Sequence, residues 1–315
     1  MIVSDKADHL AVLCIDARKF RDALLASGGE YLSSINSTEI DSGRWLASAS
    51  LPALSYRTMP GPFVELVDSL VAAHGKHAGE QFLQLIMANQ ILKMPDLLRV
   101  VSLPAAVLPW VERCVSRMLA DLVTPRPGYF SLDNDLFLKD LAVSRLKLIP
   151  CGVEMVDPDM GFPRSAIWKH GLAVGWNLSR AVFDMGGNRP VLIGHIDRRS
   201  IREFSAAGYL RFYHVVADVL RLRPEIRGLM GQSWLLDPEL GPISPELAFL
   251  HDVPKAGHAV FFPAAAYEGM VEDAIRMAPA RRKLYEAGQY QPRSFNVLWP
   301  RRALLRWAAE HPSAS

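Results

Sequence analysis

The 315-residue chain lacks most of the signatures that would assign it quickly. It has only three cysteines, Cys14, Cys114 and Cys151, and no C-x-x-C pair. That count excludes a disulfide scaffold and fits a reducing compartment. It has no uncharged apolar run of about 18 residues, so no membrane span is expected. The opening MIVSDKADHL carries acids where a secretory signal would be basic, and the expected location is cytoplasmic. It has little net charge, +2, which gives no overall argument for nucleic acid or a membrane surface. G-x-S-x-G, G-x-x-x-x-G-K-[ST], G-x-G-x-x-G and H-E-x-x-H are all missing, which argues against an α/β-hydrolase, a P-loop NTPase, a dinucleotide enzyme and a zincin. There is no internal repeat and no low-complexity tract.

What is present is an apolar half, 50% of all residues, enough for a large core. Residues 1–128 read as a mostly helical region, because FVELVDSLVAAHGKHAGEQFLQLIMANQ and LPAAVLPWVERCVSRMLADL space their apolar residues at helical intervals. The loop VTPRPGYFS, with Pro125 and Pro127, ends that region. Residues 129–315 alternate short apolar runs with amphipathic stretches. CGVEMVDPDMG reads as a strand or hairpin edge, and SAIWKHGLAVGWNLSRAVFD as a helix. PVLIGHID has the continuous apolar pattern of a strand buried on both faces. Tyr209, Phe212, Val216 and Val219 form the apolar stripe of the next helix, and Ser200 with Glu203 offers a capping box at its start. IRGLMGQSW, GHAVFFPA and SFNVLW read as further strands. The expected fold is therefore α/β: a mixed, partly parallel sheet with flanking helices, preceded by the helical region.

Open α/β sheets bind ligands at strand ends. Two expected ends carry polar groups. One is GHIDRRS, with His195 and Asp197; the other is GQSWLLDP, with Gln232, Ser233, Trp234 and Asp237. His195 is a candidate base because its free pKa lies near neutrality. Side chains alternate along a strand, so His195 and Asp197 do not form a simple relay while the strand lasts. Each residue also has a plain alternative: Asp237 before Pro238 as a strand exit, Gln232 and Ser233 as backbone partners, and His195 as a hydrogen-bonded core residue. From Arg276 to Arg306 stand eight basic residues, among them Arg281, Arg282, Arg293 and Arg301, against the single acid Glu286. Such a segment suits an anionic, phosphate-bearing ligand or is simply a solvated basic face. His74, His77 and Glu80 stand at steps of three, which drift around a helix and do not favour one metal. Cys151 has no neighbouring base to activate it and reads as a buried structural thiol.

The tail ARRKLYEAGQYQPRSFNVLW resembles the end of a GNAT-type acyltransferase domain, with Tyr285, Gly288 and Tyr290 matching its tyrosine-bearing helix and Gly-aromatic turn before a strand. The resemblance implies an acyl-CoA co-substrate, an amine acceptor on a small metabolite, and Tyr285 as the acid that protonates the leaving thiolate. The family's pyrophosphate loop, [QR]-x-x-G-x-[GA] between a strand and a helix, is not matched at Arg227–Gln232, where the glycines fall at the wrong steps. Ser-Trp-x-x-Asp-Pro is also similar to a stretch in bacterial proteins, which implies no function. The expected activity is acyl transfer with His195 and Tyr285 as acid–base groups. Arg281, Arg282, Arg293 and Arg301 would hold the donor, and Asp197, Gln232, Ser233, Trp234 and Asp237 the acceptor. The alternatives are another enzyme of anionic metabolites or a non-catalytic interaction module. A small-molecule substrate is expected, with no nucleic acid, membrane or metal; a homo-oligomer is compatible.

Overall fold

The computed structural model describes residues 2–27, 32, 55–161, 171–187, 190–276 and 278–312. The chain divides into two compact units, Met1–Pro150 and Cys151–Ser315. The division falls later than the proline-bearing loop at 124–132, because the helix that follows that loop packs with the first unit.

The first unit is helical: α1 (Ile2–Ser27), α2 (Gly61–His74), α3 (Lys76–Val100), α4 (Leu108–Val123) and α5 (Asp135–Ser144). It closes with the two-residue strand β1 (Ile149–Pro150). α3 is buried nearly all round, as a central helix must be when α1, α2, α4 and α5 all pack on it. Gly75, at φ 85, ends α2 and starts α3, so one apolar periodicity becomes two helices. Asn134 caps α5 by accepting from the amides of Leu136 and Phe137. The fully buried carboxylate of Asp140 is satisfied by the Tyr129 hydroxyl at 2.5 Å and by Arg117 Nη2 at 2.9 Å.

The second unit is α/β. Its strands are β2 (Glu154–Gly161), β3 (Pro190–Ile196), β4 (Gly228–Ser233), β5 (Val260–Pro263) and β6 (Phe295–Pro300), in the order β2-β3-β4-β6-β5. β3 and β4 are parallel; every other pair among these five is antiparallel. Helices α6 (Gly171–Asp184), α7 (Ala206–Leu222), α8 (Phe249–Ala256), α9 (Met270–Ile275), α10 (Pro279–Glu286) and α11 (Arg301–Glu310) follow in chain order. Strand alternation divides the core between the two faces. On one face Val191, Met230, Phe262 and Leu298 pack against Leu178, Ala181 and Met185 of α6 and its end. On the other, the Trp299 ring meets Tyr213 of α7 at 5.1 Å and Trp307 of α11 at 5.3 Å. The apolar stripe expected for α7 is buried as a set.

One local expectation is overturned. Ser200 does not cap α7. Asp197 caps a short 3-10 segment at Arg198–Glu203, accepting from the Arg199 amide, and Ser205 caps α7 by accepting from the Gly208 amide at 3.1 Å. Ser200 lies inside the 3-10 turn, where its side chain is not at a helix start. The helix begins after a second break in the chain, not at the first serine.

Candidate active site

The parallel connection β3–α7–β4 creates a fork. β3 and β4 pair in register only at Leu192–Leu229 and Ile193–Met230. Both strands run on for three more residues, β3 beside β2 as far as the pair Glu154–Ile196 and β4 beside β6 as far as Ser233–Phe295. Two strands that stay paired outward but not inward have parted. Burial follows the same line. Central strands with helices on both faces should be buried throughout. Here Ile193 to Ile196 are half-buried, Gly231 and Ser233 are half-buried, and Gln232 is exposed. The parting is thus an opening in the middle of the sheet, at the carboxyl ends of its parallel strands, where open α/β sheets hold their ligands.

A carboxyl stands at this opening. Glu154 starts β2, opposite Ile196, and its side chain lies on the α7 face of the sheet. Oε1 accepts from the Tyr209 hydroxyl at 2.8 Å. Oε2 lies over Gly194, 2.2 Å from where a Cβ at that position would stand; the Met230 carbonyl, at the end of the β3–β4 ladder, is 3.8 Å from the same point. Gly194 is therefore a close-approach glycine: any side chain there would displace the carboxyl. Burial pushes the Glu154 pKa up to about 7, against the lowering effect of the Tyr209 hydrogen bond. Burial and the Glu154 charge push the Cys151 thiol far above its ordinary range, which fits the structural reading of that cysteine. Tyr209 and Tyr213 are likewise raised, by burial and by Glu154.

The residues singled out in the sequence fall into two places. His195 and Gln232 flank the fork on the α6 face. His195 shares the side of Ile193, and Gln232 Nε2 donates to the Ala265 carbonyl at 3.1 Å. The others form a knot beyond the end of β4. Ser233 caps the turn Trp234–Leu236 by accepting from the Leu235 amide. Trp234 is buried among Leu240, Met270, Ala274, Ile275 and Tyr290, with Tyr285 packed against the same cluster. The Arg281 guanidinium lies over the Trp234 ring at 5.2 Å and donates to the Ala274 carbonyl and the Ser244 hydroxyl, each at 2.8 Å. Asp237 is buried and accepts from the Arg293 side chain at 3.0 Å and from the Arg293 amide at 3.2 Å. Arg301 donates to the Leu220 and Arg223 carbonyls at the end of α7. Arg282 is exposed. Asp197 Oδ1 accepts from the Arg199 side chain at 2.9 Å. In this structure Ser233, Trp234, Asp237, Arg281, Arg293 and Arg301 therefore serve as caps, packing and internal ion pairs, while His195 and Gln232 border the opening. Sequence reasoning gives Tyr209 only a place in the apolar stripe of α7 and gives Glu154 and Gly194 no role. The signal for them is a glycine interrupting the apolar run VLIGHI.

In the first unit, a concavity of ≈ 790 Å³ is lined by Asp16, Lys19, Phe20, Leu119 and Val123, and one of ≈ 270 Å³ by His77, Glu80, Gln84, Arg126 and Phe130. His74 ends α2 and His77 opens α3, so His74, His77 and Glu80 do not share one helix. Among the described residues no helix is long and apolar enough to cross a membrane. Compared with protein-family models, with curated proteins and with solved structures, the chain gives no match.

Proposed function

We propose that the second unit is a GNAT-type acyltransferase, moving an acyl group from an acyl-thioester donor to an amine of a small metabolite. The observation that carries this reading is the parting of β3 and β4. A strand edge presents amide N–H and C=O groups that an extended, amide-bearing chain can pair with. The pantetheine arm of coenzyme A is such a chain, and it brings its thioester to the end of the opening. Two further features support the reading. The junction between β3 and α7 contains Arg202-Glu203-Phe204-Ser205-Ala206-Ala207, which follows the pyrophosphate-loop pattern with Ser205 in place of its glycine. That segment leads into the start of a 17-residue helix, where backbone N–H groups favour phosphate, with Arg198, Arg202, Ala206 and Ala207 exposed around it. Holding the arm and the acceptor in one geometry would supply most of the catalysis.

The test is direct. Acetyl-CoA added at about 100 times its Kd should stabilise the protein by about 2.7 kcal/mol, read as a rise in Tm. CoA should be released faster when a panel of small amines is added. Absence of both effects with acetyl-, propionyl- and succinyl-CoA would overturn the reading. The alternative, an anionic metabolite held by the basic tail, draws less support because Arg281, Arg293 and Arg301 are engaged internally.

A further inference from the structure

The smaller concavity of the first unit, ≈ 270 Å³, has two different walls. One is a single face of α3. His77, Glu80 and Gln84 follow one another at steps of three and four residues, so their side chains share that face. The other is the chain just after α4: Pro125, Arg126, Pro127 and Gly128, with Phe130. This second wall is fixed by its own bonds. The Tyr129 amide donates to the Arg126 carbonyl at 3.0 Å, across a Pro127-Gly128 turn in which Gly128 takes φ 68. Asn134 Nδ2 donates to the Gly128 carbonyl at 3.0 Å. Arg126 Nε and Nη2 each donate to the buried Asp121 carboxylate at 2.7 Å.

Gln84 is the anomaly. It is 9% exposed and lines this concavity, yet its amide makes no hydrogen bond among the described residues. Buried amides are nearly always paired, because an unmade hydrogen bond in a low dielectric is costly. A methionine would fill the same place in α3 without that cost. The amide is thus a donor and an acceptor presented to whatever enters.

The charges of the lining are unequally matched. Arg126 is tied to Asp121 by two bonds. Glu80 has Lys76 at 3.8 Å, and the Lys76 side chain is 77% exposed, so solvent and salt weaken that pair. The Glu80 carboxylate and the Gln84 carbonyl oxygen therefore stand as two planar acceptors, one helical turn apart. Pro125, Pro127 and Phe130 supply apolar surface. The volume falls just short of the roughly 300–1,000 Å³ that drug-sized ligands occupy, so the occupant is about as large as one long side chain.

We infer that this concavity binds a guanidinium group on a short alkyl stem. The planar fork of donors bridges the Glu80 carboxylate and Gln84 Oε1, and the stem lies against Pro125, Pro127 and Phe130. A compact ammonium is strongly hydrated and does not span two such acceptors. The inference is independent of the acyltransferase reading, which concerns the second unit.

The test is titration calorimetry of the full chain with n-butylguanidine and with n-butylamine, on wild type, Glu80→Gln and Gln84→Met. Wild type should bind n-butylguanidine at least about tenfold more tightly than n-butylamine, and each variant should lose about tenfold or more of that affinity. Gln84→Met should melt no lower than wild type, since it removes an unpaired buried amide. Glu80 is half-buried, so Glu80→Gln keeps the test open should Gln84→Met fail to fold. No binding of n-butylguanidine at about 10 mM, equal affinity for the two compounds, or an unchanged affinity in Glu80→Gln overturns the inference. So does a folded Gln84→Met protein with a lowered Tm, because the amide would then be supporting the fold. A tetrapeptide with one internal arginine separates the sources. Binding of n-butylguanidine alone assigns a free metabolite, and binding of both assigns an arginine side chain of a partner; either result upholds the site.

Discussion

Replacing Glu154 by Gln should make the protein gain stability relative to wild type as pH rises to neutrality. Burial raises the folded-state pKa of this carboxyl from 4.5 to about 7. A carboxyl raised in this sense binds its proton more tightly when folded. Below about pH 4.5 both states are protonated and the contribution to stability is fully present. As pH rises from there to about 7 the unfolded chain ionises while the folded one resists, and the contribution is lost. At about 1.36 kcal/mol per pH unit the loss is at most about 3 kcal/mol. Gln cannot ionise, its carbonyl oxygen still accepts from Tyr209, and its amide occupies the space of Oε2 over Gly194. Urea unfolding of both proteins from about pH 4 to about pH 8.5 gives the difference, in which all other titrations cancel if m is unchanged. The variant should gain up to about 3 kcal/mol on wild type across the window and run parallel to it on either side. Curves parallel throughout, or a variant that loses ground as pH rises, would refute the claim that this carboxyl is desolvated.

Arg281→Ala should lower Tm by an amount equivalent to roughly 1–3 kcal/mol, since it removes buried donors to the Ala274 carbonyl and the Ser244 hydroxyl. It should leave the acetyl-CoA affinity measured by titration calorimetry unchanged; a tenfold weaker Kd without a fall in Tm would restore Arg281 to the ligand. Asp140→Ala should cost about 3–5 kcal/mol, because it strands the partly buried Arg117 beside the Tyr129 hydroxyl. Chemical denaturation is the assay, and a change below about 1 kcal/mol would show that Arg117 finds solvent instead.

The architecture was largely legible in the sequence because its signals are local. Period-two and continuous apolar runs mark β3, β4, β5 and β6, and the stripe Tyr209, Phe212, Val216 and Val219 marks α7. The errors have local causes too. Ser200 and Ser205 are both plausible caps five residues apart, and only the 3-10 turn between Asp197 and Glu203 decides for the second. Gly75 lies within one uninterrupted apolar periodicity, yet its positive φ makes two helices of it. The roles of charged residues were much less legible. Arg281, Arg293 and Arg301 read as one basic field, yet each donates to a carbonyl, hydroxyl or carboxylate far away in the chain, Ser244, Asp237 and Leu220 among them. A charge count sees the cations and not the partners that absorb them.

Glu154 shows the same limit from the other side. It sits in the short run VEMV, and its partner Tyr209 lies 55 residues away. Nothing local says that it is desolvated. The non-local contact has one local trace, the glycine in VLIGHI, and a glycine there has two independent costs. It weakens the strand by its own entropy, and it admits a carboxyl whose ionisation at neutral pH costs stability again. An alanine at 194 with an apolar residue at 154 would pack the same space against Tyr209 and remove both costs. Stability alone does not select the pair as it stands. The pair therefore keeps a carboxyl near its titration point, beside the end of the registered β3–β4 pairing, at a cost in stability.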